Sequence, residues 1–249
     1  MDLFSYFFTG DLNKKINILA EMTGEKWSVD GNNDNSVLKN YILNTFIKLY
    51  NDNQIIETDN YCLLHTGLFN QYYDPIYIYG TINTEHSSSR PQKWYLNRFV
   101  TDYDLGKLTI SERPSRANYF NDTTLLVFDV NYSINIQTEH ILSEQENLKR
   151  FPKELQNNPM IATLFIGAVE TMKKKVMANY KLAIPQYYDN KIQLLLPLCL
   201  QKPNEADVAL VVTRFDEGHF YQGHTCLSIE MAYNNARLIA KPDSNWLRL

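Results

Sequence analysis

The feature that most constrains this fold is a helical stripe of apolar residues followed at once by three apolar runs. After Pro159, apolar side chains recur at spacings of three and four as far as Tyr180, which predicts one long helix with a buried face. Pro185 predicts where that helix has ended. The runs at 192–200, 207–214 and 220–229 have the length of buried strands. The helix and the strands must cover each other, so this part of the chain predicts a helix packed on a sheet.

The remaining sequence predicts helices first and strands afterwards. Apolar spacing predicts helices over 12–22 and from Ser36 onward, and strands near 54–57, 61–66, 75–80, 94–101 and 125–130. A turn at 216–218 indicates an antiparallel hairpin. The predicted fold class is α+β, with an N-terminal helical lobe on a mostly antiparallel sheet and one long amphipathic helix before the C-terminal strands. Residues 1–249 are interpreted as a single domain, with the helical lobe at 1–53 and the α+β body at 54–249.

Composition excludes several classes of protein. The net charge of -4 over 249 residues argues against coating by nucleic acid through bulk charge, although a local basic groove stays compatible with it. Cys62, Cys199 and Cys226 lie scattered in apolar segments, which indicates buried thiols and a reducing, cytoplasmic location. No window approaches the roughly 18 apolar residues of a membrane span, so no membrane partner is predicted.

Known catalytic and cofactor signatures are missing from the sequence. It contains no phosphate-loop, dinucleotide, zinc-protease, nucleophile-elbow or paired-cysteine motif. His219, His224 and Cys226 lie close in sequence but lack the usual spacing of zinc ligands. We therefore predict no metal site and no cofactor, and the motifs leave open whether the protein is an enzyme.

His65 and Thr66 close an apolar strand just before Gly67, a position where functional side chains often lie on β-scaffolds. One interpretation is a histidine satisfied at a turn. The other is a hydrogen-bonding or acid–base group that faces a cleft.

The C-terminal third carries the residue types needed to recognise a nucleotide. Lys181 and Arg237 are suited to holding phosphate, and Tyr187 or Tyr188 to stacking on a base. Two adjacent tyrosines cannot both enter one core, so at least one faces solvent or a cleft. The remaining candidates supply polar groups that could read base edges or face the same cleft: Gln186, Asn235 and His224.

These segments together resemble a family. The resemblance rests on the C-terminal blocks 180–188, 193–200, 209–212, 221–225, 231–239 and 242–247, with Tyr61–Leu68 and Asn118–Phe120 in the first half. They are similar to the uncharacterised family called domain of unknown function 3825. The resemblance implies an RNA context, because relatives occur beside cold-shock and OST-HTH (LOTUS) RNA-binding domains. It supplies no catalytic residues.

The leading hypothesis is a domain that binds RNA or a nucleotide-like ligand in a cleft built from the C-terminal blocks, with His65 and Thr66 on the opposite wall. A second hypothesis is an enzyme acting on RNA ends or a nucleotide, with a histidine as acid or base and a lysine or arginine stabilising charge. A third is a protein-interaction module that docks a protein partner. Converging titratable groups would favour the enzyme, a long shallow basic groove the RNA binder, and a flat apolar patch the interaction module.

Overall fold

A computed structural model describes residues 1–28, 34–243 and 245–247. Contacts between Cα atoms divide the chain into two compact units, Met1–Asn118 and Tyr119–Leu249. This boundary differs from the lobe boundary predicted after residue 53, because the N-terminal helices pack on the first sheet within one unit. The α+β fold class is confirmed, and the strands form two sheets.

The N-terminal unit contains a five-stranded sheet that is covered by helices. Its strand order is β1-β5-β4-β3-β2, antiparallel except for the β1–β5 pair. The helices are α1 (Leu3–Tyr6), α2 (Leu12–Thr23), α3 (Ser36–Asn51) and α4 (Asp102–Lys107). The strands are β1 (Phe7–Phe8), β2 (Ile56–Glu57), β3 (Tyr61–Phe69), β4 (Pro75–Ile82) and β5 (Trp94–Thr101).

Local sequence signals explain the two larger N-terminal helices. The side chain of Asp11 accepts a hydrogen bond from the backbone N–H of Lys14 and caps α2, and Gly24 ends α2 in the left-handed conformation. The apolar stripes of α2 and α3 bury Ile16 and Phe46, which are at most 2% exposed. This burial holds the helices on the sheet.

The C-terminal unit contains a second five-stranded sheet, ordered β6-β10-β9-β8-β7. The β6–β10 pair is parallel and the other pairs are antiparallel. The strands are β6 (Ser133–Ile136), β7 (Ile184–Tyr188), β8 (Lys191–Leu198), β9 (Val208–Phe215) and β10 (Phe220–Ser228). The helices are α5 (Thr138–Ser143), α6 (Gln145–Leu148), α7 (Lys153–Gln156), α8 (Ile161–Ala178) and α9 (Ile229–Arg237).

The long helix predicted after Pro159 is α8, and it packs as predicted. Its buried side chains, among them Phe165 and Met172, form one core with Leu196 and Leu210 of the sheet. Alternate residues of the strands point to the opposite face, where α9 contacts β7, β9 and β10. Both faces of the sheet therefore carry a helix.

Two details of the predicted elements are wrong. The run 125–130 forms no strand: a 3-10 turn spans Thr123–Leu126, Phe128 alone enters the core, and Val127 and Val130 are exposed. A short apolar run does not by itself specify a strand. No strand is predicted at Pro185, yet β7 begins at Ile184 and contains the proline, which an edge strand tolerates.

Candidate functional site

His65 and Thr66 lie at an irregularity of β3, where the pairing with β4 shifts between His65 and Phe69. Gly67 adopts a φ of 80°, and its N–H donates to His65 Nδ1 at 2.8 Å. The Thr66 hydroxyl donates to the carbonyl of Ile76 at 2.6 Å and accepts from the N–H of Leu68 at 3.1 Å. Side chains thus replace the backbone partners that the bulge removes.

His65 is neutral at physiological pH. Burial, and to a lesser extent the charge of Arg116, lower the pKa of its imidazole to about 4 against an opposing effect of Asp102. Because Nδ1 accepts from Gly67, the single ring proton lies on Nε2. His65 is 8% exposed and Thr66 is 1% exposed, so both act as structural parts of the bulge. Their contact with a ligand stays a prediction.

Gln186 and Asn235 meet in a chain of amide hydrogen bonds. Asn235 Nδ2 donates to Gln186 Oε1 at 3.1 Å, and Gln186 Nε2 donates to Gln193 Oε1 at 3.0 Å. Gln193 Nε2 then donates to Thr213 Oγ1 at 2.9 Å. The chain joins α9 to β7, β8 and β9. Gln186 is 1% exposed with both ends of its amide occupied, so it links these elements, and its contact with a ligand stays a prediction.

Tyr187 and Tyr188 point to opposite faces because they are consecutive residues of β7. Tyr187 stacks edge-on against Tyr119 with ring centroids 4.7 Å apart, and its hydroxyl donates to Asn190. Tyr188 is 62% exposed. The prediction that at least one of the pair faces solvent or a cleft is confirmed, and the alternation of side chains along β7 is what separates the two rings.

His224 lies on a strand away from β7, whereas Arg237 lies on α9, two residues after Asn235. His224 lies in β10 where the register with β9 shifts between Gly223 and Thr225. Strands β10 and β7 are separated by β9 and β8, a distance of about 14 Å. Arg237 is 8% exposed on α9 and interacts with neighbouring groups. The structure thus brings together Gln186 and Asn235, and it places His224 elsewhere.

Lys181 lies in a 3-10 turn, Tyr180–Leu182, between α8 and β7. Asn179 ends α8, and its side chain accepts from the N–H of Lys181 at 3.2 Å. Lys181 is exposed, and it forms no ion pair with any residue that the structure describes. This turn holds a lysine and a tyrosine that is 47% exposed, Tyr180, side by side.

Three adjoining cavities meet at this turn and form what we call the Lys181 groove. Cavities of 410 and 300 Å³ share Lys181 and Asp243 in their walls. The second of them shares Val127 and Tyr180 with a third cavity of 570 Å³. Through these shared residues the three cavities adjoin one another near the start of β7.

The Lys181 groove is cationic and partly aromatic. Among the described residues, its walls carry four cations against two carboxylates, together with Tyr180 and Trp246. The cations are Lys175, Lys181, Lys241 and Arg214, of which Arg214 also pairs with Asp216, and the carboxylates are Asp129 and Asp243. Lys175 donates to Asn204 at 3.0 Å, and Trp246 Nε1 donates to the carbonyl of Leu182 at 2.9 Å, which fixes two sides of the groove.

The sequence did not single out Tyr180 as a surface residue, because it continues the apolar stripe of α8. The structure ends α8 two residues earlier, at Ala178. Asn179 was the available signal, since asparagine favours local side chain–backbone hydrogen bonds over helix.

No metal centre emerges from the described part of the chain. Over residues 1–28, 34–243 and 245–247, no three His, Cys, Asp or Glu side chains are grouped so that they could hold an ion. The three thiols are unpaired: Cys62 and Cys226 are buried and Cys199 is half-buried. Among the helices described, none combines the length and apolarity needed to cross a bilayer.

Comparison with known proteins gives one match. A family model described as "Domain of unknown function (DUF3825)" matches residues 19–246. No curated protein and no solved structure matches the chain.

Proposed function

Since this chain belongs to the family called domain of unknown function 3825, whose description names no activity, we propose its function from geometry: it binds single-stranded RNA or a nucleotide-like ligand in the Lys181 groove. The observation that supports this most is the position of Lys181, exposed and without an ion pair among the described residues, beside the exposed ring of Tyr180.

The shape of the groove suits an extended ligand. Three cavities in a row offer more length than a single nucleotide fills, and the cations are spread along them. Single-strand binding combines such a positively charged track with aromatic rings on which bases stack. Lys181 would contact phosphate and Tyr180 would stack on a base. Tyr188 lies about 13 Å along β7 from Ile184, within reach of a longer strand.

The groove favours binding over catalysis. None of the described residues in its walls is a histidine, and its two carboxylates come from different cavities. General acid–base chemistry needs titratable groups that converge on one reacting atom. We therefore place the enzyme acting on RNA ends second. The proposal includes a cytoplasmic location, which the scattered, unpaired cysteines favour.

Fluorescence anisotropy with labelled single-stranded RNA tests the proposal. With two or three phosphate contacts, affinity should fall roughly 10-fold between 50 and 200 mM salt. Lys181→Gln should weaken binding by about 1–3 kcal/mol. Lys174→Gln is the matched control, because Lys174 is an exposed lysine of the same unit that does not line the groove.

A second pair of variants separates stacking from hydroxyl chemistry. Tyr180→Ala should cost about 1–3 kcal/mol of binding free energy, whereas Tyr180→Phe keeps the ring and should bind like the wild type. Absence of RNA and nucleotide binding at 50 mM salt, or equal losses for Lys181→Gln and Lys174→Gln, would refute the groove as the binding site.

A further inference from the structure

Arg150 is fixed in place by neutral oxygen atoms. Its Nη1 donates to Thr225 Oγ1 and to the carbonyl of Cys226, both at 2.8 Å, and to Asn147 Oδ1 at 3.1 Å. The hydroxyl of Thr225 donates to Asn147 Oδ1 at 2.6 Å, so its lone pairs are left to accept from the arginine. One nitrogen of the guanidinium therefore anchors the whole planar group.

The other edge of this guanidinium has no partner in the described part of the chain. Neither Nε nor Nη2 donates to a described residue, and neither is sealed from water. No described carboxylate forms an ion pair with Arg150. Two acidic residues of the preceding segment have other partners. Glu146 binds Lys149, which lowers its pKa more than the charge of Arg150 does, and Glu144 lies 3.3 Å from His140 and also accepts from Asn147.

We propose that the Nε–Nη2 edge of Arg150 binds a phosphate group. This edge presents two parallel N–H donors, which match two oxygens of one phosphate. Arg150 is half-buried, so its charge is screened less than that of a surface lysine, and a bound anion would neutralise it. The preference for phosphate over carboxylate rests on the proposed function.

The surroundings strengthen the inference. Thr225 directly follows His224 at the point where β10 shifts register against β9, and bulges are frequent beside functional sites. Arg150 and its three acceptor residues line none of the cavities of the Lys181 groove. Arg150 would therefore be a phosphate site distinct from that groove.

Titration of the folded protein with inorganic phosphate, followed through the arginine Nε–H signals in ¹⁵N NMR, tests the site. The Arg150 signal should shift and saturate. Arg214 is an internal control, because its Nε already donates to Asp216. A shift of Arg150 that is linear in concentration, and equal to that caused by chloride at the same ionic strength, would overturn the proposal.

A variant adds a second measurement. Arg150→Lys keeps the charge and loses the fork, and should weaken phosphate binding by about fivefold or more. Unchanged affinity in a folded Arg150→Lys protein would contradict the site. Should the variant fail to fold, the wild-type titration still decides.

Two further ligands identify the source of the phosphate. A nucleoside monophosphate offers a terminal monoester, and an RNA oligonucleotide with hydroxyl ends offers backbone diesters only. A saturating shift of the Arg150 signal with the monophosphate or with the RNA supports the site and identifies its ligand. If neither of these ligands nor inorganic phosphate causes a saturating shift, the proposal is overturned. Saturation by phosphate while Lys181→Gln leaves RNA affinity unchanged would reject the groove and keep the Arg150 site.

Discussion

The two units contain the same kind of sheet with the same kind of irregularity, and they use it differently. Each sheet has five mostly antiparallel strands, and an inner strand shifts register beside a histidine, at His65 in β3 and at His224 in β10. In the N-terminal unit, His65 and Thr66 bind the displaced backbone groups and are buried. In the C-terminal unit, Thr225 helps to orient Arg150, whose outer edge meets solvent. At the first bulge the side chains satisfy the displaced backbone groups. At the second bulge a side chain holds an arginine that is still able to bind a ligand.

The largest expected contrast comes from one glycine at each bulge. A Cβ on Gly67 would lie 2.4 Å from the Tyr41 hydroxyl, and φ is 80°, so Gly67→Ala should cost about 3 kcal/mol of unfolding free energy. A Cβ on Gly223 would lie 3.3 Å from Leu210 Cδ1, and Gly223→Ala should cost less than about 1 kcal/mol. Urea unfolding of both variants measures the two losses of unfolding free energy. Equal losses would show that the two bulges are packed equally tightly around their glycines.

The next contrast is the dependence of stability on pH in the N-terminal unit. The pKa of His65 in the folded protein is about 4, below the usual 6.5. Between pH 4 and 6.5, His65 is therefore protonated in the unfolded chain and neutral in the folded one. Stability should therefore fall as the pH drops from 6.5 to 4, by up to about 3 kcal/mol. Unfolding midpoints over this range measure the fall. His65→Gln should flatten it, and an unchanged slope in that variant would exclude His65 as its cause.

A smaller effect is expected from the amide chain of the C-terminal unit. Gln186→Leu removes the acceptor of Asn235 Nδ2 and the donor to Gln193 Oε1, two groups on half-buried residues, and should cost about 2 kcal/mol. Gln222→Leu is the matched control, since Gln222 is half-buried and its bonds are 3.3 and 3.4 Å long. Denaturant midpoints compare the two variants. If Gln222→Leu costs as much as Gln186→Leu, the chain of amide hydrogen bonds makes no particular contribution to stability.

The smallest effect on stability belongs to the groove. Lys181→Gln should change the unfolding free energy by no more than about 0.5 kcal/mol, because Lys181 is exposed and makes no ion pair within the described residues. Thermal melts check this. A large loss of stability would mean that Lys181 supports the fold, and its effect on RNA affinity would then lose its meaning.

Periodicity predicted the elements that bury one continuous face. The α8 stripe and the runs that became β8, β9 and β10 were read correctly because long apolar patterns have few alternative folds. Strand β7 was missed, since Pro185 is a strong stop signal for a helix and edge strands carry little pattern of their own. Strand β6 was missed for a similar reason, having four residues of alternating exposure.

The site was harder to predict than the fold, because it depends on which polar atoms are already occupied. Sequence indicated Lys181 and the adjacent tyrosines, but no pattern shows that Asn235 binds Gln186 or that Gly67 binds His65. The sequence does not indicate a role for Arg150, because the contacts that fix its guanidinium come from Thr225 and Cys226, which are distant in the chain. The residue type suggests which chemistry a side chain can perform, whereas tertiary contacts decide whether its polar atoms are still available to a ligand.

The parallel pairing of β6 with β10 has a consequence for the order of assembly. Gln222 and Asn135 face each other across this pair although they lie 87 residues apart in the chain. Closing so long a loop costs more entropy than forming the hairpins β7–β8 and β9–β10, so we expect the four antiparallel strands to nucleate folding and β6 to dock late. The acceptors of Arg150 lie in α6, which follows β6 in the chain, and on β10. Its anchoring would therefore be completed only in that last step.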